Sequence, residues 1–195
     1  MITAGMKINN RYSPRKKIGS GGMGEVWECE DLILKRSVAL KIVNEMYLSD
    51  NSDALKILKD EAQLGAKLLG HPNIVAVLDF GSYKEKKAQN PIYYIVMELI
   101  DGITLDKWIH VNCKFLDDIT LYYINLFIAW EICKAINCAH RDGVLHRDIK
   151  PLNIFLSKNG ITKIGDFGIS RFIDAVTRTH TKWQMYTPAY CSPEQ

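Results

Sequence analysis

The chain lacks an apolar run long enough to cross a bilayer. Its most apolar stretch, Leu121–Trp130, is interrupted by Asn125 and falls well short of the roughly 20 residues that span one. The first residues, MITAGMKINNRYSPRKK, have no apolar core of the kind a secretory signal needs. A soluble, cytoplasmic protein without a membrane partner is therefore expected. Charge of one sign is also scarce: 25 Lys and Arg against 22 Asp and Glu leave a net +3, too little to imply nucleic acid. The basic cluster Lys84–Lys87 lies in a polar stretch and reads as a solvated loop. Cys29, Cys113, Cys133, Cys138 and Cys191 are odd in number and show no paired metal spacing, which disfavours a disulfide framework or a zinc site and favours reduced thiols. Repeats and low-complexity segments are absent.

What is present is an ordinary globular balance, 195 residues of which 47% are hydrophobic and 24% charged. That length suits one domain or two small lobes. The first half reads as strands: Tyr12–Ile18, Glu25–Cys29, Val38–Val43, Ile74–Phe80 and Ile92–Leu99. One helix interrupts them, Ser52–Leu69, with apolar residues at helical spacing, Ser52 or Asp53 as its N-cap and His71-Pro72 as its end. After Asp101-Gly102 the pattern turns helical, with a short helix at Leu105–Val111 and a long one at Asp118–Arg141. The long helix is apolar on most faces, with Asn125, Glu131, Lys134 and Asn137 as a narrow polar strip. Two short strands follow, Ile154–Leu156 and Thr162–Ile164, then a threonine-rich tail. The order predicts an α+β fold of two lobes joined near Glu98–Gly102.

Two strings concentrate the chemistry: HRDIKPLNI, His146–Ile154, and KIGDFGIS, Lys163–Ser170. They supply Asp148, Lys150, Asn153 and Asp166. One carboxylate can orient an attacking hydroxyl, a cation can offset charge on a moving phosphoryl group, and an amide and a carboxylate can hold magnesium. At these spacings the strings resemble the catalytic and magnesium loops of eukaryotic-type (Hanks-type) Ser/Thr protein kinases, bacterial relatives in particular. The resemblance makes Asp148 and Lys150 catalytic, and Asn153 and Asp166 the Mg²⁺ ligands. It implies ATP and Mg²⁺ as cofactors and a protein bearing Ser or Thr as substrate. Lysine two residues after the aspartate is the Ser/Thr pattern; tyrosine-specific relatives usually differ there.

Other segments resemble the same family. Gly19, Gly21 and Gly24 form Gly-x-Gly-x-x-Gly, a pattern that a dinucleotide-binding turn shares. Such a turn should open a helix, whereas Glu25 to Cys29 alternates like a strand. The strand-turn-strand form resembles the kinase loop that folds over ATP, made here of Ile18, Gly19, Ser20, Gly21, Gly22, Met23, Gly24, Glu25 and Val26. In VALK, Val38–Lys41, the resemblance puts Ala39 at the nucleotide and Lys41 on its α- and β-phosphates, paired with a helix glutamate. Glu61 is the candidate for that glutamate, with Asp60 beside it as the competitor. In YIVMELIDG, Tyr94–Gly102, Met97 would border the adenine pocket and the backbone of Glu98 to Ile100 would meet the adenine edge.

The resemblance also implies regulation. Arg147, next to Asp148, is the arginine of kinases switched on by loop phosphorylation, and Thr177, Thr179 and Thr181 are equivalent candidates for the phosphate. Thr187 in YTPAYCSPEQ would bridge to Asp148 and Lys150. Tyr186 replaces a usual glycine there, and Ser192-Pro193-Glu194 replaces Ala-Pro-Glu. The resemblance gives residues 1–11 as an N-terminal extension and 12–195 as a kinase domain: 12–100 the strand-rich N-lobe with one helix, 101–195 an incomplete helical C-lobe ending after the activation segment. Leu121, Ile124, Phe127, Ile128, Ile132 and Ile136 cannot all be covered by what remains, and each such side chain left in water forfeits about 1.5–3 kcal/mol. The expectation is a protein kinase; the alternative is a nucleotide-binding module or split-kinase half with little activity of its own, whose C-lobe a partner or missing segment completes.

Overall fold

The computed structural model describes residues 2–21, 24–43, 54–85, 89–111, 113–167 and 190, and for Ala54, Glu61 and Cys113 the backbone alone. Five antiparallel strands form the first sheet in the order β1-β2-β3-β5-β4: β1 Tyr12–Gly21, β2 Gly24–Asp31, β3 Arg36–Val43, β4 Val77–Tyr83 and β5 Ile92–Glu98. Helix α1, Ala54–Lys67, packs on one face of it. The second lobe has β6 Gly102–Thr104, α2 Leu105–Val111, α3 Asp118–Arg141, β7 Ile154–Ser157 and β8 Thr162–Ile164. Its three strands pair as an antiparallel β6-β7-β8 sheet.

Period-2 alternation on β3 builds both faces of the first sheet. Ala39 and Val43 point to α1 and pack with Leu58, Ala62, Val75, Ile95 and Met97. Val38, Leu40 and Ile42 point the other way and pack with Tyr12, Cys29, Tyr94 and Val96. The residues ahead of β1 belong to this second layer, since Ile2 and Ile8 are buried in it. Asn9 and Asn10, at φ 49° and 57°, turn the chain back so that Ile8 bridges Tyr12. Asparagine tolerates this left-handed region better than most residues. Arg11 then pairs with Asp31 at 3.0 Å and Asp79 at 3.1 Å. Burial would raise the Asp31 carboxyl, but the Arg11 hydrogen bond and the Leu34 and Ile33 N–H groups hold it below its ordinary value.

Two sequence expectations change. The strand expected from Ile74 to Phe80 begins instead at Val77. Ile74 bridges Ile164 of β8, Val75 N–H donates to the Ile164 carbonyl at 2.9 Å, and Ala76 N–H donates to Glu98 Oε1 at 2.9 Å. Residues 74–76 therefore join the lobes before the chain enters β4. Glu131, expected on a polar strip of α3, is buried. It accepts from Asn73 Nδ2 and pairs with Lys134, so a carboxylate is buried only with donors on it. The Asp101-Gly102 turn leads into β6, where a Cβ on Gly102 would meet the Leu156 carbonyl at 2.1 Å.

Asp117 caps α3, its carboxylate accepting from Thr120 N–H at 2.9 Å, a side-chain cap that satisfies an otherwise unpaired amide. Ile128, Glu131, Ala135 and Ala139 of this helix are buried, Ala135 and Ala139 among Leu68, Ile74, Val144, Ile154, Ile164 and Phe167. Contrary to the expectation from the ten-residue run Leu121–Trp130, α3 is by length and composition alone long and apolar enough to cross a membrane, while its C-terminal half packs into the second-lobe core. Ile119, Tyr122, Tyr123, Leu126, Phe127 and Trp130 remain exposed.

Ile8 is fully buried against the sheet. Replacing it with alanine is expected to lower unfolding free energy by about 2–4 kcal/mol, measured by urea denaturation. A loss under about 0.5 kcal/mol would show that residues 2–8 add nothing to the fold.

Candidate active site

The site lies where the loop after α3, the turn before β7 and the loop after β8 meet the inner face of the first sheet. His146 organises it. Its imidazole is buried; Nδ1 accepts the Asp148 N–H at 3.2 Å. The ring proton therefore sits on Nε2, which donates to the Gly165 carbonyl at 2.8 Å. Burial lowers the imidazole below its ordinary value, outweighing the opposing pull of the Gly165 carbonyl and of Asp166 and Asp148. The neutral ring also meets Phe167 edge-on, with centroids 4.5 Å apart.

Asp148 is fixed from two sides. Its Oδ2 lies 2.8 Å from Lys150 Nζ and accepts from Asn153 Nδ2 at 2.9 Å. Asn153 also donates to the Asp148 carbonyl at 2.8 Å. Pro151–Asn153 form a short 3-10 turn, which places Asn153 one step before β7 and turns its amide back onto the loop. Arg147 beside them is exposed, at φ 64°. Asp166, at φ 60°, is held by a salt bridge across the cleft, 2.9 Å from Lys41 Nζ on β3. Burial would raise its carboxyl; the nearby Lys41 charge and hydrogen bond prevail and hold it below the ordinary carboxylate range. Lys41 is itself buried, an ammonium kept in the fold by a partner.

β1 ends at Gly21 opposite Gly24, where β2 begins, so the run after the glycines is strand and not the helix of a dinucleotide-type turn. Gly24 has φ 139°, a conformation only glycine adopts readily. Val26 pairs with Lys41 and packs toward Ala39 and Met97, and Ile18 stands exposed at the edge. Ser20 and Glu25 flank the turn, Glu25 bonded to Lys17 and Trp27. Gly22 and Met23 lie outside the described residues. So do the side chain of Glu61 and, in full, Thr177, Thr179, Thr181 and Thr187. The backbone of Glu61 is in α1.

Met97 and Glu98 end β5, with Ile100 just beyond. Glu98 N–H already donates to the Ala76 carbonyl at 3.0 Å, which removes it from the groups expected to meet an adenine edge. Its carboxylate accepts from Lys163 Nζ at 2.7 Å. Three residues of the site have no motif role in the sequence: Phe155, Lys163 and Gly165. The signal for Phe155 is β7 alternation, since Ile154 is buried in the second-lobe core and Phe155 faces the first sheet. Behind Met97 a small pocket lies between Ala62, Val75, Val77, Ile95, Asp166 and Phe167.

Known proteins share this sequence pattern and fold. The family model described as "Protein kinase domain" matches residues 12–195, and the chain belongs to that family. It is 39% identical over 98% of its length to the serine/threonine-protein kinase PrkC of Bacillus subtilis, covering 28% of that protein. It is 37% identical over its whole length to the serine/threonine-protein kinase PknB of Mycolicibacterium smegmatis, covering 30% of that one. It thus spans under a third of each of these curated relatives. Among solved structures, the PknI kinase domain of Mycobacterium tuberculosis superposes with a TM-score of 0.69 at 26% identity, over 87% of this chain and 62% of that one. The fold is a protein-kinase fold, with the antiparallel first lobe and the partly helical second lobe expected from the sequence.

Lys41→Met would leave Asp166 facing the cleft without its cation. Any phosphoryl transfer by the chain is expected to fall by on the order of 100-fold, read by radiolabelled ATP incorporation. Unchanged transfer would assign phosphate positioning to another cation.

Proposed function

We propose that this chain is the catalytic domain of a Ser/Thr protein kinase, transferring the γ-phosphoryl group of Mg-ATP to protein hydroxyls. The observation that carries the proposal is the grip on Asp148: Lys150 and Asn153 both engage Oδ2, which leaves Oδ1 to accept the proton of an incoming hydroxyl. A carboxylate so fixed acts by orientation rather than by strong basicity, the requirement when the phosphoryl group is loosely bonded in the transition state. Lys150, bound to the same oxygen, stands where charge on the moving group needs offsetting.

Across the cleft, Lys41 supplies a buried cation for nucleotide phosphates, and the glycines at 19, 21 and 24 would let backbone N–H groups approach them. Asn153 and Asp166 fit Mg²⁺ by donor chemistry, one amide oxygen and one carboxylate. Magnesium held there would take its other ligands from phosphate and water. Bound magnesium would neutralise phosphate charge.

Arg147 is the proposed receiver of a phosphate on Thr177, Thr179 or Thr181. The exposed apolar face of α3, from Ile119 to Trp130, favours further helical chain packing there, either continuous with this chain or from a partner. Activity is proposed in the cytoplasm, where ATP and Mg²⁺ are supplied.

Incubation with Mg-ATP followed by mass spectrometry tests the function, with Asp148→Asn alongside. Phosphate on serine or threonine of the parent alone is expected. Equal phosphate on both would remove Asp148 from the chemistry, and none on a folded parent supplied with substrate protein would overturn the kinase reading.

A further inference from the structure

We infer that Glu25 is a positioning residue: from the outer face of the first sheet it holds the end of β1 and β2 that meets phosphate. The inference rests on the Mg-ATP reading above. The two strands pair as far as Gly21 opposite Gly24, but their register slips between Lys17 and Gly19. A bulge of this kind interrupts the ladder and lets the strand bend. Beyond it β1 carries only Gly19, Ser20 and Gly21, which bring almost no side chain to pack. Ladder and core are thus weakest at the glycine end.

Side chains on the outer face span that gap. Lys17 lies opposite Trp27, and Glu25 opposite Ser20, so by alternation Lys17, Trp27 and Glu25 share one face. Val26 turns the other way and packs with Ala39 and Met97. Trp27 is packed on the outer cluster that contains Val38 and Leu40, and its Nε1–H donates to Glu25 Oε2 at 3.0 Å. Lys17 Nζ, on the near side of the bulge, donates to Glu25 Oε1 at 2.5 Å. Both carboxylate oxygens are therefore engaged. The Lys17 ammonium, and after it the Trp27 N–H, hold the Glu25 carboxyl below its ordinary value. Glu25 itself sits beyond the bulge, so this clasp ties the glycine end to the body of the sheet. Lys17 and Glu25 are partly exposed, and such a pair alone is weak; the packed indole supplies the anchor. Because the carboxylate lies on the face away from Val26 and Lys41, it acts through the strands and not by touching the nucleotide.

The sign of the effect separates a clasp from a simple charge. Removing a carboxylate near a phosphate site would, on charge alone, tighten an anionic ligand; losing the clasp should weaken it. The test is calorimetric titration with Mg-ADP and with adenosine, which carries no phosphate. It uses the parent, Glu25→Ala, Lys17→Met, Lys17→Arg and the double variant Glu25→Ala/Lys17→Met, with thermal midpoints of each. Glu25→Ala should bind Mg-ADP about fivefold more weakly, the upper range for an exposed pair, and adenosine as the parent does. Lys17→Met should also weaken Mg-ADP, Lys17→Arg should stay near the parent, and the double variant should be no weaker than Glu25→Ala. Parental or tighter Mg-ADP binding by Glu25→Ala, an equal loss for adenosine, or additive losses in the double variant overturns the proposal. If Glu25→Ala does not fold, the two Lys17 variants decide: weakening by methionine but not by arginine supports the clasp, and any other pattern refutes it. A folded parent that takes up no Mg-ADP overturns the nucleotide reading itself, and the clasp with it.

Discussion

The neutral imidazole of His146 joins two loops that the sequence keeps apart. Its two nitrogens are both committed, one to the amide of Asp148 and the other to the carbonyl of Gly165. Protonation would turn the accepting nitrogen into a donor facing another donor, and burial opposes that change. The ring consequently sets the distance between the loop that carries Asp148 and the one that carries Asp166. Phe167, stacked edge-on against it and buried in the second-lobe core, anchors the same point to α3. The Lys41–Asp166 salt bridge, the Asn153 hydrogen bonds and the placement of Gly165 all take their positions from this joint.

A second set of contacts fixes the lobes to each other. Asn73, fully enclosed, donates to Glu131 of α3 and to the Thr162 carbonyl, and Ile164 N–H donates to the Asn73 carbonyl at 2.9 Å. Lys163 on β8 bonds Glu98 at the end of β5, while Glu98 also receives Ala76 N–H. One segment between α1 and β4 therefore touches the long helix, the small sheet and the inter-lobe connection. Buried polar groups of this kind are costly to leave unpaired, so they favour one relative placement of the lobes over sliding alternatives.

Much of this was legible in the sequence because its signals were local. Alternation on β3, the apolar run of α3, and the fixed spacing of Asp148, Lys150, Asn153 and Asp166 each follow from neighbours in the chain. The helices Leu105–Val111 and Asp118–Arg141 fall where periodicity places them. What escaped depended on partners far away. Nothing near Glu131 announces that Asn73 will enclose it, and nothing near Ile74 announces the bridge to Ile164 that delays β4. Gly165 looks like any glycine until Phe155 is seen leaning over it. Ile2 and Ile8 gave too short a pattern to distinguish a loose extension from the edge of a core.

The Lys41–Asp166 salt bridge joins residues 125 positions apart, and this separation has a consequence for how the protein is made. During synthesis the β3 lysine emerges long before its carboxylate, so a buried cation waits for a partner that arrives only with the second lobe. Contacts of such long range form late, after loop closure has been met by other interactions. The cleft between the lobes is then a product of completed folding, absent from partly folded chains. A ligand that recognises the joined cleft stabilises only the finished state, by mass action, and so acts as a thermodynamic proofreader of this protein's assembly.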